Sequence, residues 1–230
     1  MSVLSEKLEQ LEYWLWQHHP IVAESLPSGL TREEINSQAQ CLPFQLSKEI
    51  QELYQWHNGC FSLFGSAYLD EGLGFLSLEK AIQYSHYQEA GHVSQKLNIL
   101  GFHMFGEFER WLHFAVCNED ETSPILLVID DPYTRLAYAS VTSMVLTTLE
   151  CYERGILILK IYQTYGHASF NNSIIRDFSN QDYDRLDEYT DQFYVEEYIN
   201  VRDEFKKILD RNNSLFNQEA IRQKYNIEIK

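Results

Sequence analysis

The sequence lacks any hydrophobic run long enough to cross a membrane. The longest candidates, residues 125–129 and 156–159, fall far short of the roughly 20 apolar residues that a spanning helix needs. The N-terminus also lacks the basic and then apolar stretch of a secretory signal, and the four cysteines lie far apart without a Cys-x-x-Cys pair. We therefore expect reduced, isolated thiols in a cytoplasmic protein that has no membrane partner.

Motifs of nucleophilic, phosphate-binding and zinc chemistry are missing as well. There is no Gly-x-Ser-x-Gly elbow and no glycine-rich phosphate loop, and none of the eight histidines forms a His-x-x-x-His or His-x-x-Glu-His pattern. Isolated cysteines without a recognisable histidine partner are more often buried thiols than nucleophiles. The sequence therefore predicts a protein that is not an enzyme and that holds no cofactor.

One arrangement leaves a metal-dependent enzyme open as the less favoured alternative. His103 and His113 fall on predicted neighbouring strands, and Glu107 and Glu109 lie near the turn between them. Such a set could bind a metal ion if the strand register brought the side chains together. A hairpin that carries polar residues on its solvated face explains the same residues equally well. No metal is therefore predicted.

Basic residues are scarce relative to acidic ones. The chain has 18 Lys and Arg against 34 Asp and Glu, which gives a net charge of −16. A field of this sign repels phosphate backbones, so we expect no nucleic-acid partner. The same field attracts a basic protein.

Half of the net charge falls between residues 177 and 204, where ten acidic residues face two basic ones, a net charge of −8. Tyrosines and phenylalanine interleave with these acids, so the segment suits a docking surface for a basic protein. A solvated surface or linker, or an amphipathic helix with its aromatic face docked on the domain, remains open. The predicted partner-binding residues are Asp184, Asp187, Glu188, Asp191, Glu196 and Glu197.

Helical patterns dominate the first sixty residues. A first helix carries leucines at helical spacing and ends at His18-His19-Pro20; the leucines are Leu4, Leu8, Leu11 and Leu15. Thr31 and Glu34 form a capping box, which predicts a second helix. Pro43 is predicted to open the next helix as a first-turn proline, and Asn58-Gly59 to stop it with a left-handed residue.

Two tryptophans of these helices have different expected environments. Trp14 falls off the leucine stripe, so we expect it to be partly exposed and available to a partner. Trp56 lies near the end of the helix that Pro43 is predicted to open. We expect it to pack in or beside the core.

The middle of the chain reads as sheet. Residues 99–105 and 111–117 are typical of a hairpin, 125–129 of a central strand and 135–138 of the next strand, with a turn at Asp130-Asp131-Pro132. Further helices are predicted over residues 78–88, from Ser140 or Thr142 to Gly155, over 203–212 and over 218–225; residues 156–162 fit either strand or helix. The pattern predicts an α+β fold with a mostly antiparallel sheet packed against several helices. We expect an N-terminal helix (1–19), an α+β domain (20–160) and an acidic, largely helical C-terminal segment (161–230).

The order of the short motifs resembles the SUKH superfamily, which holds fungal cell-wall assembly regulators and bacterial toxin-immunity proteins. The matching stretches are Leu42-Pro43, Leu53-Tyr54-Gln55-Trp56-His57-Asn58-Gly59, Phe75-Leu76-Ser77-Leu78-Glu79-Lys80-Ala81 and Glu150-Cys151-Tyr152-Glu153-Arg154-Gly155. The resemblance covers roughly residues 21–155. It implies a non-enzymatic binding domain that neutralises a toxin, often a nuclease, or that serves as a regulatory scaffold.

Overall fold

Helices form the N-terminal part of the chain, and antiparallel strands follow. The structure is a computed structural model that describes residues 1–65, 73–85, 97–104, 111–117, 122–129, 134–163, 193–199 and 202–225. The helices within the described residues are α1 (Val3–His18), α2 (Pro20–Ser25), α3 (Arg32–Ala39), α4 (Lys48–Trp56), α5 (Leu78–Tyr84), α6 (Val141–Glu153), α7 (Arg202–Ser214) and α8 (Gln218–Tyr225). The strands within the same residues are β1 (Cys60–Phe64), β2 (Leu73–Phe75), β3 (Ile99–Met104), β4 (Trp111–Val116), β5 (Ile125–Ile129), β6 (Thr134–Tyr138), β7 (Leu157–Gln163) and β8 (Phe193–Ile199). The α+β prediction is confirmed.

The leucine stripe of α1 is buried as predicted. Its four leucines, Leu4, Leu8, Leu11 and Leu15, are at most 2% exposed. Ser2 caps the helix by accepting the backbone N–H of Ser5, and His19 ends it. Because the stripe faces inward, α1 packs along α2, α4 and α6, and the opposite side of the helix is left at the surface.

Helix α3 begins with the predicted capping box. The Thr31 hydroxyl accepts the N–H of Glu34 at 3.2 Å, and the Glu34 carboxylate accepts the N–H of Thr31 at 2.7 Å. These two bonds satisfy donors that a helix start leaves free. The bonds to Thr31 hold the pKa of Glu34 below its ordinary value.

The prediction that Pro43 opens a helix is wrong. Helix α4 starts at Lys48, after the N-cap Ser47, and Pro43 lies in the connection between α3 and α4. The Ser47 hydroxyl accepts the N–H of Ile50 at 3.2 Å and lies 2.6 Å from the hydroxyl of Ser123. A serine cap satisfies a free backbone donor at the helix start, which a proline side chain cannot do.

The role predicted for Gly59 is half right. Gly59 has a positive φ of 97°, but α4 has already ended at Trp56, with His57 as its cap. A Cβ on Gly59 would lie 2.9 Å from the backbone N of Ser77 and 3.2 Å from the carbonyl oxygen of Phe75. Glycine is therefore required here because two backbone segments meet, and not because a helix must stop.

Replacing Gly59 with valine should lower the free energy of unfolding by about 3 kcal/mol, because backbone strain and the clash act together. Gly155 provides the matched control: its φ is 63°, but no atom lies within 4 Å of a built Cβ. Gly155→Val should therefore cost only about 1–2 kcal/mol. Urea unfolding of both variants measures the difference. Equal losses at the two sites would reject the close approach at Gly59.

The central sheet has the strand order β3-β4-β5-β6, and every neighbouring pair is antiparallel. This confirms the hairpin prediction and places β5 in the sheet interior. Alternate residues of β5 enter different cores. Ile125 and Leu127 join the main core under the helices, whereas Leu126 and Val128 join a second cluster closed by Tyr225 of α8. Burial on both faces accounts for the nearly all-apolar sequence of this strand.

Helix α6 also follows its sequence signals. Of the two predicted caps, Ser140 is the one used, and it forms a capping box with Ser143. Gly155 follows the helix in a left-handed conformation. The predicted turns at residues 106–110 and 130–132 and the predicted end of a helix near residue 88 lie outside the described residues.

The C-terminal segment shares the core of the domain. The predicted boundary at residue 160 falls inside β7, and three residues of α7, Phe205, Ile208 and Leu209, belong to the main core. Helices α7 and α8 agree with the predicted helical stretches. Residues 193–199, however, form strand β8 paired with β7, so this part of the segment is not helical. Its aromatic and β-branched residues favour a strand.

Candidate functional site

The six predicted partner-binding residues divide into two groups. Asp184, Asp187, Glu188 and Asp191 lie outside the described residues. Glu196 and Glu197 lie on β8, where the backbone register sets Glu196 opposite Lys160 of β7. The structure thus places two of the six on a strand, and it does not describe how they lie relative to the other four.

The outer face of α1 combines exposed aromatic rings with carboxylates. Tyr13 is 68% exposed and Trp16 is 46% exposed. Glu6 and Glu9 are exposed on the same helix. Glu9 lies four residues before Tyr13, and Tyr13 three before Trp16, so these side chains are neighbours on one helix face. We call Glu6, Glu9, Tyr13 and Trp16 the α1 outer face.

Trp14 is partly buried, but it is not the aromatic group that α1 offers to solvent. Its ring stacks on Tyr152 of α6 with centroids 4.6 Å apart and on His18 with centroids 4.5 Å apart. It also packs against the main core. Tyr13 and Trp16, rather than Trp14, are therefore the aromatic side chains of α1 that a partner could contact, because both are exposed.

Contacts with α4 fix the position of α1. The indole N–H of Trp56 donates to Glu12 at 3.0 Å, and Nε2 of His57 lies 3.9 Å from the same carboxylate oxygen. Nδ1 of His57 lies 2.6 Å from the carbonyl oxygen of Pro27. Trp56 packs beside the main core, as predicted. Since these groups hold α1 from one side and Tyr152 contacts it from the other, the α1 outer face is presented by a fixed helix.

A groove lies at the N-terminal end of α1, where the helix approaches α4, α6 and the turn between α7 and α8. Its volume is about 360 Å³. The residues that line it, which we call the α1–α7 groove, are Ser2, Val3, Leu4, Lys48, Glu49, Glu52, Thr122, Thr142, Leu146, Leu215 and Phe216. Val3 and Leu215 on its rim are 59% and 66% exposed. The groove therefore joins exposed apolar side chains to carboxylates.

Glu49 joins three parts of the structure beside this groove. Its carboxylate accepts the backbone N–H groups of Ser123 at 2.7 Å and of Val141 and Thr142 at 3.1 Å, together with the hydroxyl of Thr142. Val141 and Thr142 are the first residues of α6, so Glu49 satisfies donors that a helix start leaves free and meets the positive end of the helix dipole.

The buried position of Glu49 also changes its acidity. Only 6% of the residue is exposed. Burial raises its pKa, and the hydrogen bonds, led by that from the Thr142 hydroxyl, oppose part of this rise. With its oxygens engaged by four protein donors, the carboxylate links α4, residue 123 and the start of α6.

The predicted metal alternative gains one observation. His103 and His113 lie on neighbouring strands, as predicted, and the β3–β4 register sets them opposite each other. Glu107 and Glu109 lie outside the described residues. Within the described residues, no group of three or more His, Cys, Asp or Glu side chains is arranged to hold a metal ion.

The cysteines differ in their exposure to solvent. Within the described residues none of the four forms a disulfide, and Cys117 and Cys151 are buried. Burial raises the pKa of the Cys117 thiol to about 12. Because the thiolate is the nucleophilic form, this shift makes Cys117 unreactive at neutral pH.

Comparison of the sequence with protein-family models and with curated proteins finds no match. The SUKH resemblance therefore stays a prediction that depends on its short motifs. Among the described helices, none has the length and apolar character to span a bilayer.

Sequence reasoning missed the α1 outer face, although the signal was present. Tyr13 lies two residues from both Leu11 and Leu15, which puts it on the side of the helix opposite the buried stripe. Val3 could have been found in the same way. Leu215 could not, because its exposure depends on how the turn after α7 packs.

Proposed function

We propose that this protein is a non-enzymatic binding protein whose partner is a basic protein, and that it neutralises a toxin or a similar partner in the manner of SUKH immunity proteins. The observation that carries the proposal is the α1 outer face. Exposed Tyr13 and Trp16 next to Glu6 and Glu9 offer rings that can be buried on binding and carboxylates that can meet lysine or arginine.

The charge of the whole chain acts in the same direction. A net charge of −16 raises the encounter rate with a basic protein before any contact forms. Aromatic side chains then provide most of the contact energy, because each buries a large area at a low cost in conformational entropy. Steering is thus supplied by the charge of the whole chain, and contact by the aromatic rings of the α1 outer face.

The acidic C-terminal residues are proposed to attract the same partner. They are Asp184, Asp187, Glu188, Asp191, Glu196 and Glu197. Changing the four aspartate and glutamate residues from 184 to 191 to asparagine or glutamine tests their contribution to the association rate. We expect the variant to associate more slowly than wild type at low salt, where steering is strongest, and to keep its fold. Equal association rates would make this stretch solvated surface only.

A regulatory scaffold of the same fold is the second candidate, and its surface would have the same chemistry. The two differ in the number of partners. A toxin-neutralising protein binds one partner tightly, whereas a scaffold binds several. A metal-dependent enzyme is the least favoured candidate. Stoichiometric metal in the purified protein would support it.

Affinity purification from the native host, with mass spectrometry of the bound proteins, tests the proposal. We expect one stoichiometric partner with a basic domain. Several stable partners would favour the scaffold. An acidic partner, or none, would count against the proposal.

A further inference from the structure

The α1–α7 groove has an apolar rim held in place by buried polar residues beneath it. Leu215 lies in the turn after α7, where its N–H donates to the carbonyl oxygen of Asn212 and the N–H of Phe216 donates to that of Asn213. Both asparagines are buried, with only 6% and 5% of their surface exposed. The turn that presents Leu215 is therefore anchored to the interior.

Hydrogen bonds to α6 fix these asparagines. The amide of Asn212 donates to the Thr147 hydroxyl at 3.2 Å, and the Asn213 side-chain oxygen accepts from the Ser143 hydroxyl and the Ala139 N–H, each at 2.9 Å. Buried polar groups that are bonded in this way hold a unique geometry. An exposed leucine on such a support requires little ordering when a partner covers it.

The opposite wall supplies a carboxylate. The charged side chains that line the groove are Lys48, Glu49 and Glu52. Four protein donors already engage Glu49, so Glu52, which is half-buried and accepts the Ser2 hydroxyl, is the carboxylate placed to meet an incoming cation. Glu52 balances the one ammonium group of the groove, that of Lys48, and the net charge of −16 on the protein favours a basic occupant over an acidic one.

We infer that the α1–α7 groove receives an aliphatic side chain of the partner, with a neighbouring arginine or lysine that reaches Glu52. The aliphatic side chain contacts Val3, Leu146 and Leu215, and its burial excludes water from the ion pair. This inference rests on the proposed function, since it assigns one anchor point to the basic partner.

Selection of a displayed library of random dodecapeptides on the wild-type protein tests the inference without knowledge of the native partner. We expect the enriched peptides to combine an aliphatic residue with a nearby arginine or lysine. Their affinities are then measured on three variants. Leu215→Asp should weaken binding about ten-fold or more, because burial of the leucine is lost. Glu52→Gln should weaken it several-fold, and Glu33→Gln, an exposed change on α3 outside the groove, should leave it unchanged.

Leu215 is 66% exposed, so its replacement should leave the fold intact, and circular dichroism checks this. Enriched peptides without a basic residue, peptides that bind Leu215→Asp as tightly as wild type, or no enrichment at all would overturn the inference. Capture of the native partner equally well by wild type and Leu215→Asp would overturn it while leaving the proposed function in place. Absence of any basic native partner, with groove-dependent peptides still selected, would count against the proposed function alone.

Discussion

Replacing Glu49 with alanine is expected to lower the free energy of unfolding by about 3–5 kcal/mol. The carboxylate accepts from Ser123, Val141 and Thr142, and these donors would be left buried without their acceptor. Loss of the bonds also removes the link between α4 and the start of α6. Equilibrium unfolding in urea, followed by circular dichroism, measures the change.

Glu52→Ala is the control for this prediction, because Glu52 lies one turn further along α4 and is more exposed. We expect it to cost at most about 1 kcal/mol. If Glu49→Ala cost no more than Glu52→Ala, the buried hydrogen bonds of Glu49 would have to be rejected as a major source of stability.

The raised pKa of Glu49 gives the same residue a pH signature. Because its folded-state pKa lies above the ordinary 4.5, the folded protein holds this proton more tightly than the unfolded chain does. Its contribution to stability is therefore fully present below pH 4.5 and is lost as the pH rises through the raised pKa. The stability of wild type relative to Glu49→Gln should fall over this window. A rise instead would show that the hydrogen bonds outweigh burial.

Replacing Phe205 with alanine is also expected to lower the free energy of unfolding by about 3–5 kcal/mol. Phe205 of α7 is fully buried in the main core. The Phe205 ring packs so closely against Gly65 that a Cβ added to Gly65 would lie 2.4 Å from Cε2 of Phe205. The truncation leaves a cavity between α7 and the rest of the domain. Thermal or urea unfolding measures the loss.

Lys206→Ala on the same helix is the matched control, because Lys206 is exposed and should change stability by no more than about 0.5 kcal/mol. A small loss for Phe205→Ala, or a separate unfolding step for the C-terminal segment, would show that α7 is an appendage. A single transition with a large loss would show that the domain needs residues beyond 160.

The sequence predicted well the elements whose signals are local. The leucines of α1, the Thr31–Glu34 box and the Ser140 cap each depend on residues within one or two turns, so spacing alone reveals them. The prediction from Pro43 was wrong because the connection between α3 and α4 contains two possible helix-start signals, Pro43 and Ser47. Proline only tolerates a helix start, whereas the Ser47 hydroxyl bonds to the helix backbone and contacts Ser123, far away in sequence.

Features set by distant contacts were less predictable. Strand β8 forms by pairing with β7, and no local pattern shows that pairing. The environment of Trp14 depends on Tyr152 of α6, and the exposure of Leu215 depends on asparagines bonded to α6. The acidic character of the proposed binding surface came from composition. Its location on α1 came from the structure, which shows which face of the helix is buried in the core and which is exposed.

The association rate of the captured partner, measured against ionic strength, tests most directly whether the α1 outer face docks a basic protein. The matched variants are Glu6→Gln/Glu9→Gln on α1 and Glu24→Gln/Glu33→Gln, two exposed acids on α2 and α3. Both change the net charge equally. We expect the α1 pair to slow association several-fold at low salt, with the difference closing as salt screens the charges, and the control pair to stay near wild type. Equal rates for the two pairs would contradict a docking surface on α1.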